Sequence, residues 1–290
     1  MITYLACQVY NKLILILPLK VSYWIAARIG DIVYFLMKKD RQERVKIVKR
    51  ILKNKISQRE AQRIVRYNFQ NFNKGLVDFF RIPKLNKEDI NNLVEIVGQE
   101  NLDTALKKGK GVILVGIHMG NGGFVTTALA LKGYPVNIVV WKEKNEKVDR
   151  LFQSIRQSKG VRVIYSHNSA RYILKLLRQN EIVAITIDLN GGRKGIKLNV
   201  WGEKISIVRT PLVFALREKT PLLPGVSIRQ PDNTHKIIIG KPIKIELTQN
   251  REKDLEIGAI RLFEFFKKYV VEFPEQWHWL KFLWQRKEES

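Results

Sequence analysis

The chain is poor in the residues that build most covalent and metal-dependent sites. Its 290 residues include one cysteine, Cys7, and four histidines. A single thiol closes no intramolecular disulfide and no cysteine metal cluster, a composition that fits a reducing compartment. The histidines are well separated in sequence, which argues against a local zinc motif and predicts no metal. The GxSxG nucleophile elbow, the GxxxxGK[ST] phosphate loop and the HExxH helix are all missing. These absences narrow the field to histidine-centred chemistry or to binding without turnover. Acidic residues are scarce too: 27 Asp and Glu stand against 52 Lys and Arg, for a net charge of +25. Such a surface attracts nucleic acid, anionic lipid or a phosphorylated carrier. With no recognition helix, zinc finger or aromatic stacking platform in view, nucleic acid is the least supported of the three.

Long uninterrupted apolar runs are also lacking. The nearest approach is Leu13 to Met37, where Lys20, Arg28 and Asp31 break the runs and Pro18 and Gly30 would bend a helix. A spanning helix needs about 20 predominantly apolar residues, so this segment could span only with charges near its ends. It could also lie half-inserted as a hairpin. The expectation is a monotopic or single-pass anchor over residues 1–38, followed by one α/β domain over 39–290 on the cytoplasmic face of the cell membrane. A cleaved signal peptide is disfavoured, because no basic residue precedes Lys12 and no small-residue cleavage site follows. After the anchor, Val45, Val48, Ile51 and Leu52 recur at helical spacing among bases, as in a membrane-surface helix. Ser57 and Glu60 stand at capping-box spacing at the head of a second helix reaching Arg81.

From Val94 the pattern changes to short β-rich runs alternating with helical ones. Strands are expected at Val94–Val97, Val112–Ile117, Val136–Trp141, Val161–Tyr165, Ile182–Ile187, Ile196–Val200, Leu222–Ile228, Lys236–Ile239 and Ile243–Leu247. Helices are expected at Glu100–Lys107, Phe124–Leu131, Glu146–Ser158, Ser169–Gln179, Thr210–Lys219 and Arg251–Val271. This alternation predicts an α/β fold: a central, mostly parallel sheet flanked by helices, with antiparallel additions near the C-terminus and the helical membrane anchor in front. Ligands of such sheets bind beyond the carboxyl ends of the strands.

Two strand ends carry titratable groups. His118 follows the apolar run from Val112 and opens a glycine-rich turn, Gly120-Asn121-Gly122-Gly123. An imidazole suits a general base near neutral pH, and it needs an acceptor on its other nitrogen to fix the tautomer. Backbone N–H groups at the start of the next helix, around Asn121, Gly122 and Gly123, could hold an oxyanion. Asp188 ends the strand from Ile182 and opens a second glycine-rich loop, where it could orient the histidine or a cation. The alternative is an Asx-turn residue that caps the loop. Arg156, Arg193 and Lys194 are candidates to grip a phosphate or carrier, with simple solvation an equal reading for each.

Several segments together resemble the bacterial lysophospholipid acyltransferase superfamily, in its branch of lipid A biosynthesis late acyltransferases related to lauroyl and myristoyl acyltransferases. They are the apolar N-terminus, the run Asn71 to Phe79, Gly109-Lys110-Gly111-Val112-Ile113-Leu114, His118-Met119-Gly120-Asn121, the Asp188 loop and the ending Pro274-Glu275-Gln276-Trp277-His278-Trp279. The resemblance implies an inner-membrane enzyme that moves a fatty acyl chain from acyl carrier protein or coenzyme A to a hydroxyl of a lipid or glycolipid, with no cofactor. It also implies a His-x4-Asp/Glu signature in which histidine is the base and the acid orients it. His118 matches the base, but the acid position is Gly123 and the residue before it is Gly122. Three accounts follow: another carboxylate, such as Asp188, supports His118; the protein is an inactive lipid-binding relative; or a glycine has replaced the acid of an active parent.

Overall fold

The computed structural model describes residues 2–167, 169–189, 191–245 and 248–278. Helices α1 (Ile2–Ile16) and α2 (Leu19–Leu36) are separated at Pro18, and α3 (Lys38–Ile51) and α4 (Gln58–Arg81) follow. The expected capping box forms at the head of α4. Ser57 accepts the Glu60 N–H at 3.2 Å, and the Glu60 carboxylate accepts the Ser57 N–H at 2.8 Å.

The structure corrects the expected membrane anchor. No helix among the described residues is long and apolar enough to cross a membrane. Instead α2 commits one face to α4, burying Tyr23, Ala26, Ala27, Gly30, Asp31 and Tyr34. The fit is close at Gly30, where an added Cβ would stand 2.7 Å from the Gln70 Cα. Asp31, one of the charges that broke the apolar run, accepts from Arg66 and Gln70 of α4, each at 2.6 Å. These interactions give α2 the character of a packed surface helix, with an ion pair set among the small and aromatic side chains where it meets its neighbour.

The remaining elements, of which all but α5 and β7 were expected, are α5 (Lys87–Leu93), β1 (Val94–Val97), α6 (Gln99–Leu106), β2 (Val112–Gly116), α7 (Gly122–Leu131), β3 (Val136–Val140), α8 (Glu146–Gln157), β4 (Arg162–Tyr165), α9 (Ala170–Arg178), β5 (Ile182–Thr186), β6 (Ile196–Val200), β7 (Glu203–Ile207), α10 (Thr210–Glu218), β8 (Leu222–Arg229), β9 (His235–Ile239) and α11 (Arg251–Glu272). Seven strands form the main sheet in the order β1-β9-β8-β2-β5-β3-β4. Strands β8, β2, β5, β3 and β4 are mutually parallel, while β9 runs antiparallel to β8 and carries β1 beside it.

Side chains alternate across the central strands, as a pleated sheet covered on both faces requires. Val112, Leu114, Ile182 and Ala184 pack under α7 with Phe79, Phe80, Phe124 and Leu129. Ile113, Val115, Val183 and Ile185 join the opposite core with α9, α10 and α11 residues such as Leu176, Leu212 and Phe263.

Two elements were not anticipated. Helix α5 is short and set by its own capping box, Asn86 and Asp89. Strand β7 pairs antiparallel with β6 through a tight turn at Trp201 and Gly202, both at positive φ (49° and 80°). That backbone follows the twist of a hairpin, and tryptophan is an unusual residue to adopt it. The expected strand Ile243–Leu247 does not form over residues 243–245, and Glu246 and Leu247 lie outside the described residues, as does Trp279.

Candidate active site

The site is assembled by strand register. β2 and β5 are adjacent and parallel, with Gly116 opposite Thr186. His118 and Asp188 each follow two residues later, so the same register that pairs the strands brings the two side chains side by side at their carboxyl ends. His118 Nδ1 lies 2.7 Å from Asp188 Oδ1, and the His118 backbone N–H donates to Asp188 Oδ2 at 2.8 Å. A third donor, the Trp277 indole N–H, reaches Oδ2 at 2.9 Å.

This arrangement fixes the chemistry of both groups. Asp188 is fully buried, whereas the His118 side chain keeps 29% of its surface exposed. Burial alone would push the Asp188 carboxyl up, but the neighbouring His118 and the donated hydrogen bonds hold it below its ordinary range. The ionised carboxylate accepts at Oδ1, so the proton sits on Nδ1 and the basic lone pair on Nε2. A histidine held in this tautomer, with one nitrogen braced and the ring reaching solvent, is equipped to take a proton from a bound hydroxyl.

The turn after His118 is shaped from three sides. Gly120 has φ +61°, and an added Cβ would stand 1.9 Å from the Ser227 carbonyl oxygen on β8, so only glycine fits. Asn121 caps α7 by accepting the Phe124 N–H, while its amide donates to the Gly75 carbonyl at 3.1 Å and to Asp78 Oδ2 at 3.2 Å. Asp78, on the inner face of α4, is itself wholly buried, and there Arg229 and Tyr23 donate to it and His235 Nε2 stands 3.2 Å away. Burial raises the Asp78 carboxyl, but Arg229 and His235 outweigh it and keep the group charged. A chain of polar groups thus runs from the helical layer to the cap of the helix that follows His118.

Around position 123 the surroundings are apolar apart from the Asn121 side-chain oxygen, 3.3 Å from an added Cβ. An added Cβ there would stand 3.5 Å from the Phe79 ring and 3.8 Å from Ile82, while one at Gly122 meets nothing within 4 Å. Arg156 stacks over the Phe79 and Phe152 rings at 5.1 and 5.8 Å, which places its guanidinium on the same apolar wall. Arg193 and Lys194 are exposed on a single 3₁₀ turn beyond Asp188, and no described hydrogen bond or ion pair ties either to the His118–Asp188 pair. Asp78, Arg229 and Trp277 were missed as site-supporting residues. For Asp78 the signal was a lone acid in the apolar run Leu76-Val77-Asp78-Phe79-Phe80; for Trp277 it was only its place in the family-like ending, which says nothing of a partner 89 residues away.

Comparison with known proteins agrees with this architecture. The chain is 23% identical to the lipid A biosynthesis lauroyltransferase of Escherichia coli over 276 residues, covering 92% of this chain and 86% of that protein. It is 21% identical over 225 residues to the phosphatidylinositol mannoside acyltransferase of Mycolicibacterium smegmatis, covering 76% of this chain and 72% of that one. The Mycobacterium tuberculosis enzyme of the same name is 24% identical over 216 residues, with 71% and 66% covered. Because residues 1–286 match its profile, the chain belongs to the bacterial lipid A biosynthesis acyltransferase family, whose reaction moves an acyl chain from a thioester donor to a lipid hydroxyl.

Proposed function

We propose that His118 and Asp188 are the working base and orienting acid of this acyltransferase, and that Gly123 does not disable it. The supporting observation is the 2.7 Å contact between His118 Nδ1 and the buried Asp188 carboxylate. In this reading Nε2 removes the proton of an acceptor hydroxyl, and the oxygen attacks the thioester carbonyl. The oxyanion settles at the mouth of α7. There Asn121 already takes the Phe124 N–H, which leaves the Gly122 and Gly123 N–H groups outside the helix's own ladder. Collapse breaks the carbon–sulfur bond, and the imidazolium returns its proton to the departing thiolate. Asp188 stabilises the imidazolium between these steps without becoming protonated.

The acceptor in this reading is a glycolipid hydroxyl, the chemistry common to the named relatives, and the donor is an acyl carrier protein or coenzyme A thioester. Arg156 and the open space at Gly122 line the entrance. The protein works at the cytoplasmic membrane surface as a peripheral enzyme, lying on the bilayer. The test is thiol release from lauroyl- and myristoyl-coenzyme A in the presence of extracted bacterial glycolipids, with transfer followed by radiolabel. His118→Ala should abolish transfer and Asp188→Asn should lower kcat by about 10² to 10⁴. Full activity in Asp188→Asn would remove Asp188 from the mechanism, and tight lipid binding without transfer by any donor would favour a non-catalytic lipid-binding relative.

A further inference from the structure

The buried end of the described chain reaches into the site. Residues 276–278 lie antiparallel to 118–120: the Gly120 N–H donates to the Gln276 carbonyl at 3.0 Å, Met119 bridges Trp277, and the His278 N–H donates to the His118 carbonyl at 2.9 Å. The helical layer grips the same segment from the other side. Asn68 of α4 donates to the Trp277 carbonyl at 2.9 Å, and Arg44 of α3 donates to the His278 carbonyl at 3.1 Å. The Gln276 side chain exchanges two hydrogen bonds with the Arg229 backbone, at 2.7 and 2.9 Å. Trp277, fully buried, is therefore held on both flanks, and its indole N–H ends on Asp188.

We propose that Trp277 is a positioning residue for acyl transfer, its N–H fixing which oxygen of Asp188 serves His118. The inference rests on the reading of His118 and Asp188 as base and acid. A carboxylate turns readily about its Cβ–Cγ bond, because that torsion is broad. Two N–H groups on Oδ2, one from the His118 backbone and one from Trp277, set the plane and leave Oδ1 facing the imidazole. With the indole N–H gone, a single donor holds Oδ2 and the plane is free to rock. The imidazole then loses its fixed orientation, a change that bears on proton transfer and not on the binding of donor or acceptor.

The expected signature is a kcat effect without a KM effect, transmitted through Asp188. Trp277→Phe keeps a ring in the core and removes the donor; replacement by benzothienylalanine keeps the bicyclic shape and removes only the N–H, which covers the case in which phenylalanine leaves a cavity and unfolds the chain. Thiol release from lauroyl-coenzyme A should fall about tenfold in kcat with KM unchanged, as expected for one lost hydrogen bond to a charged group. In an Asp188→Asn background the same change should cause no further loss. An equal loss on both backgrounds, or unchanged kcat with the benzothienyl residue, overturns the role given to Trp277 while leaving the base and acid in place. If Asp188→Asn is itself fully active, the base-and-acid reading falls and the Trp277 role falls with it.

Discussion

A carboxylate introduced at position 123 would start from a Cβ standing 3.3 Å from Asn121 Oδ1 and 3.5 Å from the Phe79 ring. It would thus enter beside an oxygen that repels it and a ring that cannot solvate it, with Asp188 already paired to Nδ1 of His118. The expected result for Gly123→Glu is unchanged or several-fold lower transfer in the thiol-release assay; a gain of tenfold or more would mean that Asp188 is not the acid. The contrast between the two acid positions also explains what could be read from sequence. His118 and Asp188 were each visible as the polar end of an apolar run, and both runs are strands whose ends coincide because β2 and β5 pair in register. Their pairing was legible only as one account among several, because strand order is a tertiary fact: β3 and β4 lie between β2 and β5 in the chain but beyond β5 in the sheet. Asp78 was hidden for a different reason, since an acid inside an apolar helix face makes sense only once Arg229 and His235 arrive from β8 and β9.

At the level of elements, the strap of residues 276–278 couples the site to stability. His278 donates from Nε2 to the Gly120 carbonyl at 2.9 Å, and burial, aided by the charges of Arg229, His118 and Arg44, pushes its pKa down to about 4. In the unfolded chain the group titrates near 6.5, so a proton is taken up more readily by the unfolded state. The folded protein therefore holds its full margin above about pH 6.5 and loses stability as the pH falls toward 4, by on the order of 2–3 kcal/mol. Asp188 acts in a separate window: its carboxyl is depressed in the folded state, so its contribution is present above the ordinary carboxylate range and is lost only on further acidification. Urea midpoints measured between pH 7.5 and 4.5 should drop more steeply for the parent than for His278→Gln, whose amide can still donate to Gly120. Parallel curves would place the titration elsewhere. The helix α4 that anchors this strap was predicted from its capping box and apolar spacing, and its ends came out as expected. That α4 holds the C-terminal segment through Asn68 was not predictable, because a buried asparagine declares no partner 209 residues ahead.

For the molecule as a whole, the distribution of apolar surface follows from the corrected role of the first two helices. Among the described residues, ten of the seventeen large hydrophobic side chains exposed to solvent lie between Leu5 and Met37. They recur at helical spacing, as Leu5, Val9, Leu13 and Ile16 on α1 and as Val21, Trp24, Ile32 and Phe35 on α2. The opposite face of α2 is committed to α4, so the exposed apolar stripes of α1 and α2 lie on the outside of the fold, which supports the peripheral seat on a bilayer proposed above. Met37 leads directly into α3, where Lys38, Lys39, Lys46 and Arg50 are exposed. An apolar ridge beside a basic helix fits an anionic bilayer surface, where each cation near the headgroups contributes about 1 kcal/mol at low salt. Co-sedimentation with vesicles should therefore be strong for phosphatidylglycerol-containing bilayers and weak for pure phosphatidylcholine. Raising the salt from 0.1 to 0.5 M should release much of the bound protein, since the Debye length shortens from about 10 Å to less than half of that. Trp24→Glu and Phe35→Glu should each lower binding about tenfold at low salt while leaving thiol release in detergent unchanged, because neither side chain is part of the site. Binding that ignored both lipid charge and these substitutions would mean that some other face meets the membrane, and the apolar stripes would then need a different partner.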